Sequence, residues 1–244
     1  MTDEPTREHA AAHRTKSAPS GWWLVVRETA IILVSAIVLS LVVKTYLAQA
    51  FYIPSGSMEQ TLEIGDRVMV TKLAPGPLQV HRGDIVVFKD PGGWLPPPPP
   101  PSGSAPVRTV RTLLTYIGLL PQDSGEHLIK RVIGVGGDHV TCCDDRGRLT
   151  VNGTAIDEPY LAAGDVPSEI QFDVTVPQGY LWVMGDNRQN SEDSRYHQGN
   201  PGGGAVPMSD VVGVAFVTLW PLDRVRLLRN PGPTFADVPS PTGP

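Results

Sequence analysis

A serine and a lysine in separate segments of the chain could together carry out nucleophilic catalysis. Ser57 lies in a loop segment where Pro54 stiffens the approach and Gly56 allows a tight backbone. Lys130 lies within an apolar run of the kind that forms strands. A serine needs a base to take its proton, and a lysine amine can be that base when burial lowers its pKa. Ser57 and Lys130 are therefore a candidate nucleophile and general base, against the ordinary alternatives of a loop serine and a solvated strand lysine.

The more familiar catalytic motifs do not occur around these residues. None of the six histidines stands in a recognisable triad motif. The sequence around Ser57 is not a G-x-S-x-G elbow, and no S-x-x-K motif begins at Ser55 or Ser57. An H-E-x-x-H zinc motif is also absent from the sequence. We therefore predict neither a metal nor a cofactor.

The two cysteines, Cys142 and Cys143, are adjacent. This spacing is typical neither of a disulfide framework nor of a metal site. Two alternatives stay open, an inert pair and a redox-linked pair, and an exported domain would place either in an oxidising compartment.

A third segment, residues 183–196, is polar and rich in turn residues. Several of its side chains could brace a site. Arg131 directly follows Lys130, and its side chain should point to the opposite face because side chains alternate along a strand.

Short β-branched and aromatic runs separated by Gly and Pro turns predict a mainly β domain over residues 48–230. Asn152-Gly153 also indicates a tight hairpin. The candidate strands are residues 67–72, 83–88, 128–135, 139–141, 149–151, 170–176, 180–184 and 211–220.

Residues 21–47 are apolar over a length that can cross a bilayer, and they follow a polar tail, residues 1–20, which we expect to be disordered. A cleavable signal sequence is one alternative, since residues 48–50 (Ala-Gln-Ala) match a small-x-small cleavage pattern. A buried core helix is another. We interpret the segment as an uncleaved transmembrane anchor, with the basic N-terminal side in the cytoplasm and the β domain outside it.

Residues 90–127 interrupt the strand pattern as an insertion. It contains a polyproline run and then apolar residues at helical spacing over 107–120. That helix would either pack on the domain or lie in the membrane surface. The Pro-rich segment 231–244 is predicted to be a disordered tail.

The charge of the chain argues against one class of partner. The formal net charge is -5 and the isoelectric point is near 5.6. Proteins that bind nucleic acid usually carry a basic stripe, and no run of Lys and Arg supplies one. We therefore expect no nucleic-acid partner.

Four segments together resemble the motifs of bacterial type I signal peptidases, also called leader peptidases. The serine motif is residues 54–58, a strand motif is 82–88, the lysine motif is 130–138, and the last motif is 185–196. They occur in the family's order, and the proline-rich insertion is most similar to that of actinobacterial members. The order makes the resemblance far more specific than any single motif.

The resemblance implies a mainly β domain with a signal-peptidase-like antiparallel sheet and an N-terminal transmembrane helix. It implies a membrane-bound serine endopeptidase on the outer face of the cytoplasmic membrane. Its partners would be membrane lipid and the signal peptides of exported proteins, cut after an Ala-x-Ala-type site, with no oligomer required. The substrate would add as an extended strand beside the segment before Ser57 and the strand at 84–88.

The resemblance also implies roles for individual residues. Ser57 would be the nucleophile and Lys130 the general base. The Ser57 N–H and the Ser55 hydroxyl would form the oxyanion hole.

Three further residues would support this dyad. Ser191 would hydrogen-bond Lys130 and orient it. Asp193 and Arg195 would form an ion pair that braces their loop.

Two rival functions stay open. A self-cleaving repressor of the Ser/Lys class would share the core fold but would carry a DNA-binding domain and no anchor. A membrane-tethered binding module without activity is the other, because a strand lysine and a loop serine need not meet.

Overall fold

The computed structural model describes residues 21–96, 109 and 127–241. By its internal contacts the chain divides after Leu39 into an N-terminal unit and a second unit that begins at Ser40. Helix α1, Gly21–Tyr46, has 26 residues, none of them buried. At 1.5 Å per residue it is roughly 39 Å long, and it is apolar enough to cross a membrane.

In the described part of the chain, twelve strands form two antiparallel sheets. The strands are β1 Ala48–Tyr52, β2 Arg67–Thr71, β3 Ile85–Lys89, β4 His127–Val135, β5 His139–Cys142, β6 Leu149–Val151, β7 Thr154–Ala155, β8 Phe172–Thr175, β9 Tyr180–Met184, β10 Val206–Pro207, β11 Val211–Trp220 and β12 Arg226–Leu227. The larger sheet has the order β1-β2-β11-β3-β4-β9-β10, with β12 paired to β11, and the smaller has the order β7-β6-β5-β8. The prediction of a mainly β fold with antiparallel sheets is confirmed.

The centre of the larger sheet is buried on both faces. Strand β3 is buried from Ile85 to Phe88, and β4 from Ile129 to Gly134. Alternate residues of these strands supply two apolar clusters, so that Val87 and Ile129 pack on one face while Val86 and Val132 pack on the other. A continuous apolar run is what a strand covered on both faces requires.

The two cysteines are joined as a disulfide between adjacent residues, which answers the question the sequence left open about their covalent state. Cys142 is buried in the cluster under the smaller sheet, where it packs with residues such as Leu149 and Phe172. Neither cysteine lines the cleft described below.

The expectation of a disordered tail over residues 231–244 is wrong as far as residue 241. Helix α2, Gly232–Phe235, places Phe235 in the core, and Val238 follows it there. Just before it, the Asn230 side chain donates a hydrogen bond to Asp84 at 2.6 Å. Two apolar side chains among many prolines are enough to anchor this segment, although its composition suggested otherwise.

Two other expectations fall on residues outside the described part of the chain. They are the disordered tail at 1–20 and the helix at 107–120, within which the structure describes only Thr109. The described ends of the insertion are a turn at residues 90–96 and His127, the first residue of β4.

Candidate active site

Ser57 lies in a short 3₁₀ turn, Gly56–Met58, that follows β1. The Met58 side chain is fully buried in the apolar cluster beside β1 and fastens the turn to the domain. On the other side, Asn187 donates its backbone N–H to the Ser57 carbonyl at 3.1 Å and its side-chain amide to the Gly56 carbonyl at 3.0 Å. The turn is thus held from two directions.

Lys130 lies in the middle of β4, opposite Val86 of β3, and only 4% of it is exposed. Its Nζ is 2.5 Å from Ser57 Oγ, within hydrogen-bond distance. Burial lowers the pKa of Lys130 from 10.5 to about 8, with the Asp193 carboxylate opposing that shift and Arg195 adding to it. The structure therefore brings the two residues together and lowers the proton affinity of the Lys130 amine.

The Asp193 carboxylate is the centre of a buried bracing cluster. Arg195 donates to it through Nε and Nη2, both at 2.8 Å. The Gly185 N–H and the Ser191 hydroxyl donate to it at 3.0 and 2.8 Å. Burial alone would raise the pKa of Asp193, but the hydrogen bonds and charge of Arg195 outweigh it, and the pKa is lowered. The Asp193–Arg195 ion pair is therefore present in the structure.

Ser191 is placed differently from the expectation. Its hydroxyl donates to Asp193, the carboxylate that faces Lys130, whereas the expectation was a hydrogen bond to Lys130 itself. The Asp193 carboxylate is fully buried and accepts five hydrogen bonds from side-chain and backbone donors, so it competes strongly for the Ser191 hydroxyl.

Ser55 lies at the rim of the same site. It is exposed, it has an extended backbone (φ -127, ψ 154), and it lines the cleft together with Ser57. This is a position from which a hydroxyl can reach a bound peptide.

A second buried ion pair lies on the opposite face of β4, and the sequence did not reveal it. Arg131 donates to the Asp186 carboxylate at 2.8 and 2.6 Å, and Thr61 donates to the same carboxylate at 2.5 Å. The Arg131 guanidinium also stacks 4.1 Å from the Tyr160 ring centroid. The pair ties β4 to the loop after Ser57, because Thr61 belongs to that loop.

A third buried pair holds the segment that carries Asp193. Arg188 donates to Glu158 at 2.9 and 2.5 Å, and to the Pro167 carbonyl at 2.7 Å. Arg195 in turn donates to the Arg188 carbonyl at 2.9 Å. Glu158 is 30 residues away in sequence, and nothing in its local pattern marks it as a partner.

Gly185 is a point of close approach that only glycine fits. A Cβ at this position would lie 2.3 Å from Ser191 Oγ and 2.4 Å from the Ser57 carbonyl oxygen. Both distances are far below van der Waals contact, so any side chain here would push the Ser57 turn away from the bracing cluster.

An apolar cleft leads up to Ser57 and Lys130. Its volume is about 110 Å³, and this small, mostly apolar space suits small aliphatic side chains. The residues that line it are Phe51, Tyr52, Ile53, Pro54, Ser55, Ser57, Val87, Leu95, His127, Leu128, Ile129 and Lys130.

Within the described part of the chain, no group of three or more His, Cys, Asp or Glu side chains is arranged to hold a metal ion. The chemistry that this site can perform with its own groups is attack by an activated serine on a carbonyl carbon.

A β domain with a serine at the end of an apolar cleft, next to a buried lysine, has the features of a serine hydrolase. Residues 26–220 match the family model described as signal peptidase, peptidase S26. The chain belongs to this family and is a serine peptidase.

Two mycobacterial relatives agree with this assignment. A probable signal peptidase I of Mycobacterium leprae is 42% identical over 224 residues, covering 81% of this chain and 77% of the relative. Signal peptidase I of Mycobacterium tuberculosis is 40% identical over 227 residues, covering 85% and 76%. A crystal structure of a signal peptidase I from Enterococcus faecalis V583 is 26% identical, with a TM-score of 0.37, and covers 56% of this chain and 97% of that one.

Proposed function

We propose that this protein is a membrane-anchored signal peptidase in which Ser57 is the nucleophile and Lys130 the general base. The observation that carries the proposal is the 2.5 Å approach of Lys130 Nζ to Ser57 Oγ, with the lysine buried and its pKa lowered to about 8. At that pKa a useful fraction of the amine is neutral near physiological pH. A neutral amine can accept the hydroxyl proton, whereas an ammonium group cannot.

In the acylation step the Ser57 hydroxyl proton moves to Lys130 Nζ as Oγ attacks the carbonyl carbon of the substrate. The carbonyl oxygen takes up the negative charge of the tetrahedral intermediate. When the carbon–nitrogen bond breaks, the Lys130 ammonium returns its proton to the leaving amine. The signal peptide is then held as an ester on Ser57, and the mature protein leaves.

In the deacylation step a water molecule gives its proton to Lys130 and attacks the ester carbon. Collapse of the second intermediate returns the proton to Ser57 Oγ and releases the signal peptide. The Ser57 N–H and the Ser55 hydroxyl are our proposed donors to both oxyanions. Preorganised donors of this kind typically contribute about 3 kcal/mol each to lowering the barrier.

The bracing clusters keep this geometry. The Asp193 carboxylate accepts from Ser191 and Arg195 and faces Lys130, so it favours the ammonium form that exists in each intermediate. The Arg131–Asp186 pair holds the adjacent position of β4 and the loop after Ser57. In this proposal these residues position the dyad and do not touch the substrate.

The substrate fits as an extended strand along the cleft. Phe51, Ile53, Val87 and Ile129 all line it, so a peptide lying in the cleft meets mainly apolar surface. We number substrate residues backwards from the cleaved bond, as −1, −2 and −3. Side chains −1 and −3 of a strand face the same way, so both would enter this small, mostly apolar cleft, where small side chains such as those of an Ala-x-Ala site fit best.

The anchor keeps the site near the membrane. Ser57 follows α1 by about ten residues, which can span at most ~35 Å when fully extended. We propose that the N-terminal side is cytoplasmic, that the β domain is extracytoplasmic, and that lipid contact is made without any need for an oligomer. Protease added outside intact cells should then digest the domain, and protection of the domain would refute this orientation.

A cleavage assay with the purified full-length chain tests the activity. The substrate is a peptide carrying an Ala-x-Ala site, with Ser57→Ala and Lys130→Met as the test variants. Ser209→Ala and Lys89→Met change exposed residues outside the cleft and serve as matched controls. We expect both test variants to lose at least 1,000-fold in kcat/KM while the controls keep wild-type rates. Cleavage at the wild-type rate by either test variant would refute the dyad, and a wild-type chain that binds but never cleaves would support the rival binding module.

A further inference from the structure

The loop that leaves β3 is folded so that Leu95 reaches the substrate cleft. The Asp90 carboxylate accepts hydrogen bonds from the backbone N–H groups of Trp94 and Leu95, at 3.0 and 3.2 Å. Burial by itself would raise the pKa of Asp90, but these backbone donors lower it, which keeps the carboxylate ionised. The turn thereby fixes the direction in which Leu95 leaves the sheet.

Trp94 anchors this loop to the body of the domain. Its ring is 95% buried and meets Phe88 of β3 edge to face, with 5.7 Å between the ring centroids. On its other side, the His197 ring stacks on it at 4.3 Å with an interplanar angle of 11°. His197 Nδ1 lies 2.8 Å from the Asp193 carbonyl oxygen. The same histidine therefore touches both the Leu95 loop and the loop that braces Lys130.

The register of the sheet locates Leu95 along the cleft. Lys89, the last residue of β3, is opposite His127, the first residue of β4. Lys130 is the third residue after His127, a distance of about 10 Å along a strand. The Leu95 loop starts from the His127 end, and Leu95 and His127 both line the cleft. Leu95 therefore belongs to the half of the cleft that is remote from Lys130.

We propose that Leu95 is a specificity-determining residue that limits the size of the substrate side chain at −3, with Trp94 and His197 as the residues that position it. The inference rests on the function proposed above. The −1 residue must lie beside Ser57, and the −3 side chain lies about 7 Å further along the same face of an extended strand. The −3 side chain would therefore lie toward the His127 end of the cleft, where the Leu95 side chain limits the available space.

The test is a comparison of peptides that differ at one position. Four peptides carry Ala or Leu at −3 and, separately, Ala or Leu at −1, and kcat/KM is measured for each. For Leu95→Ala we expect the preference for Ala over Leu at −3 to fall by at least tenfold, since a pocket discriminates by about 10-fold or more for each methylene that it excludes. The preference at −1 should be unchanged. The matched control is Leu78→Ala, at an exposed position outside the cleft, which should keep both preferences.

The outcomes separate this inference from the proposed function. If the wild-type chain cleaves none of the peptides, the proposed function fails. If it cleaves them but Leu95→Ala keeps its full −3 preference, or loses the −1 and −3 preferences equally, the role of Leu95 is refuted.

His197 variants test the positioning role. His197→Phe keeps an aromatic ring against Trp94 but loses the polar contact to the Asp193 carbonyl, whereas His197→Ala loses both. We expect His197→Ala to lower the preference for Ala over Leu at −3, as Leu95→Ala does. We expect His197→Phe to keep the wild-type preference at −3. If both variants lower kcat equally for every peptide and keep the −3 preference, the stack serves only the bracing loop and the positioning role is refuted.

Discussion

Lowering the pH should inactivate the peptidase by protonating Lys130, and the acidic limb of the activity profile should lie near pH 8. Burial disfavours the ammonium form and lowers the pKa of this lysine from 10.5 to about 8. Only the neutral amine can take the proton of Ser57. The active fraction of the free enzyme therefore follows the deprotonated fraction of Lys130.

The size of the effect follows from the two pKa values. At pH 7, a lysine with a pKa of about 8 is neutral in roughly one molecule in ten, by the usual titration relation. A lysine at 10.5 would be neutral in about one molecule in 3,000 at the same pH. Burial thus increases the fraction of molecules with a neutral Lys130 at pH 7 by a factor on the order of 300.

The assay is kcat/KM for an Ala-x-Ala peptide between pH 5 and pH 10. We expect log kcat/KM to rise with a slope of about one below pH 8 and then to level off. Ser57→Ala, assayed at each pH, measures hydrolysis that does not depend on the site. A limb near pH 10.5, or a flat profile, would refute the assignment of Lys130 as the base.

Three further predictions follow from the same contacts. Gly185→Ala should lower kcat/KM by at least 100-fold, because the new methyl group would overlap Ser191 and the Ser57 carbonyl; a wild-type rate in a peptide assay would contradict this. Lys130→Met should keep the fold and raise the free energy of unfolding at pH 7 by up to about 3 kcal/mol. The pKa of Lys130 is about 8 in the folded chain and 10.5 in the unfolded chain, so protonation of this lysine at pH 7 favours the unfolded chain. Denaturant titrations should show that the free energy of unfolding of the wild type rises between pH 8 and pH 10.5, a trend that the variant should lack. An equal slope against pH in both proteins would contradict the lowered pKa of Lys130. The Ala-Gln-Ala match at residues 48–50 should escape self-cleavage because it lies in β1, paired along its length with β2; N-terminal sequencing that finds a mature chain starting at Phe51 would refute this.

Strand positions were the most predictable part of the fold. The run at 211–220 coincides with β11, and the runs at 149–151 and 180–184 coincide with β6 and β9. Strands of two residues, such as β7 and β10, were not predicted, because two residues carry no periodicity.

The pairing of Ser57 with Lys130 could be inferred only from motifs in a fixed order. Alternation along β4 correctly separates Lys130 from Arg131, but it would equally allow one of them to face water. Both are buried, one against Ser57 and the other against Asp186. Which charges are buried depends on partners that come from distant strands and turns, and local sequence does not specify those.

Long-range partners account for most of what the sequence did not reveal. Glu158 holds Arg188, Trp94 stacks on His197, and Phe235 enters the core from a Pro-rich segment. In each case the residue type is ordinary for its segment, and its role arises from a contact made across the fold. Local patterns report burial and turns, so contacts of this kind appear only with the structure.

Replacing the amine of Lys130 by a chemically altered amine tests the central claim most directly. Lys130→Cys removes the base, and alkylation of the new thiol with bromoethylamine restores an amine whose chain contains sulfur and whose pKa is lower than that of lysine. The native cysteines are joined to each other, so they are protected from the reagent under non-reducing conditions. The account predicts an inactive Cys variant, recovery of peptide cleavage on alkylation, and an acidic limb shifted to lower pH than in the wild type. An unmodified variant that cleaves at the wild-type rate, or a recovered activity with an unshifted limb, would contradict the role of Lys130 as the general base.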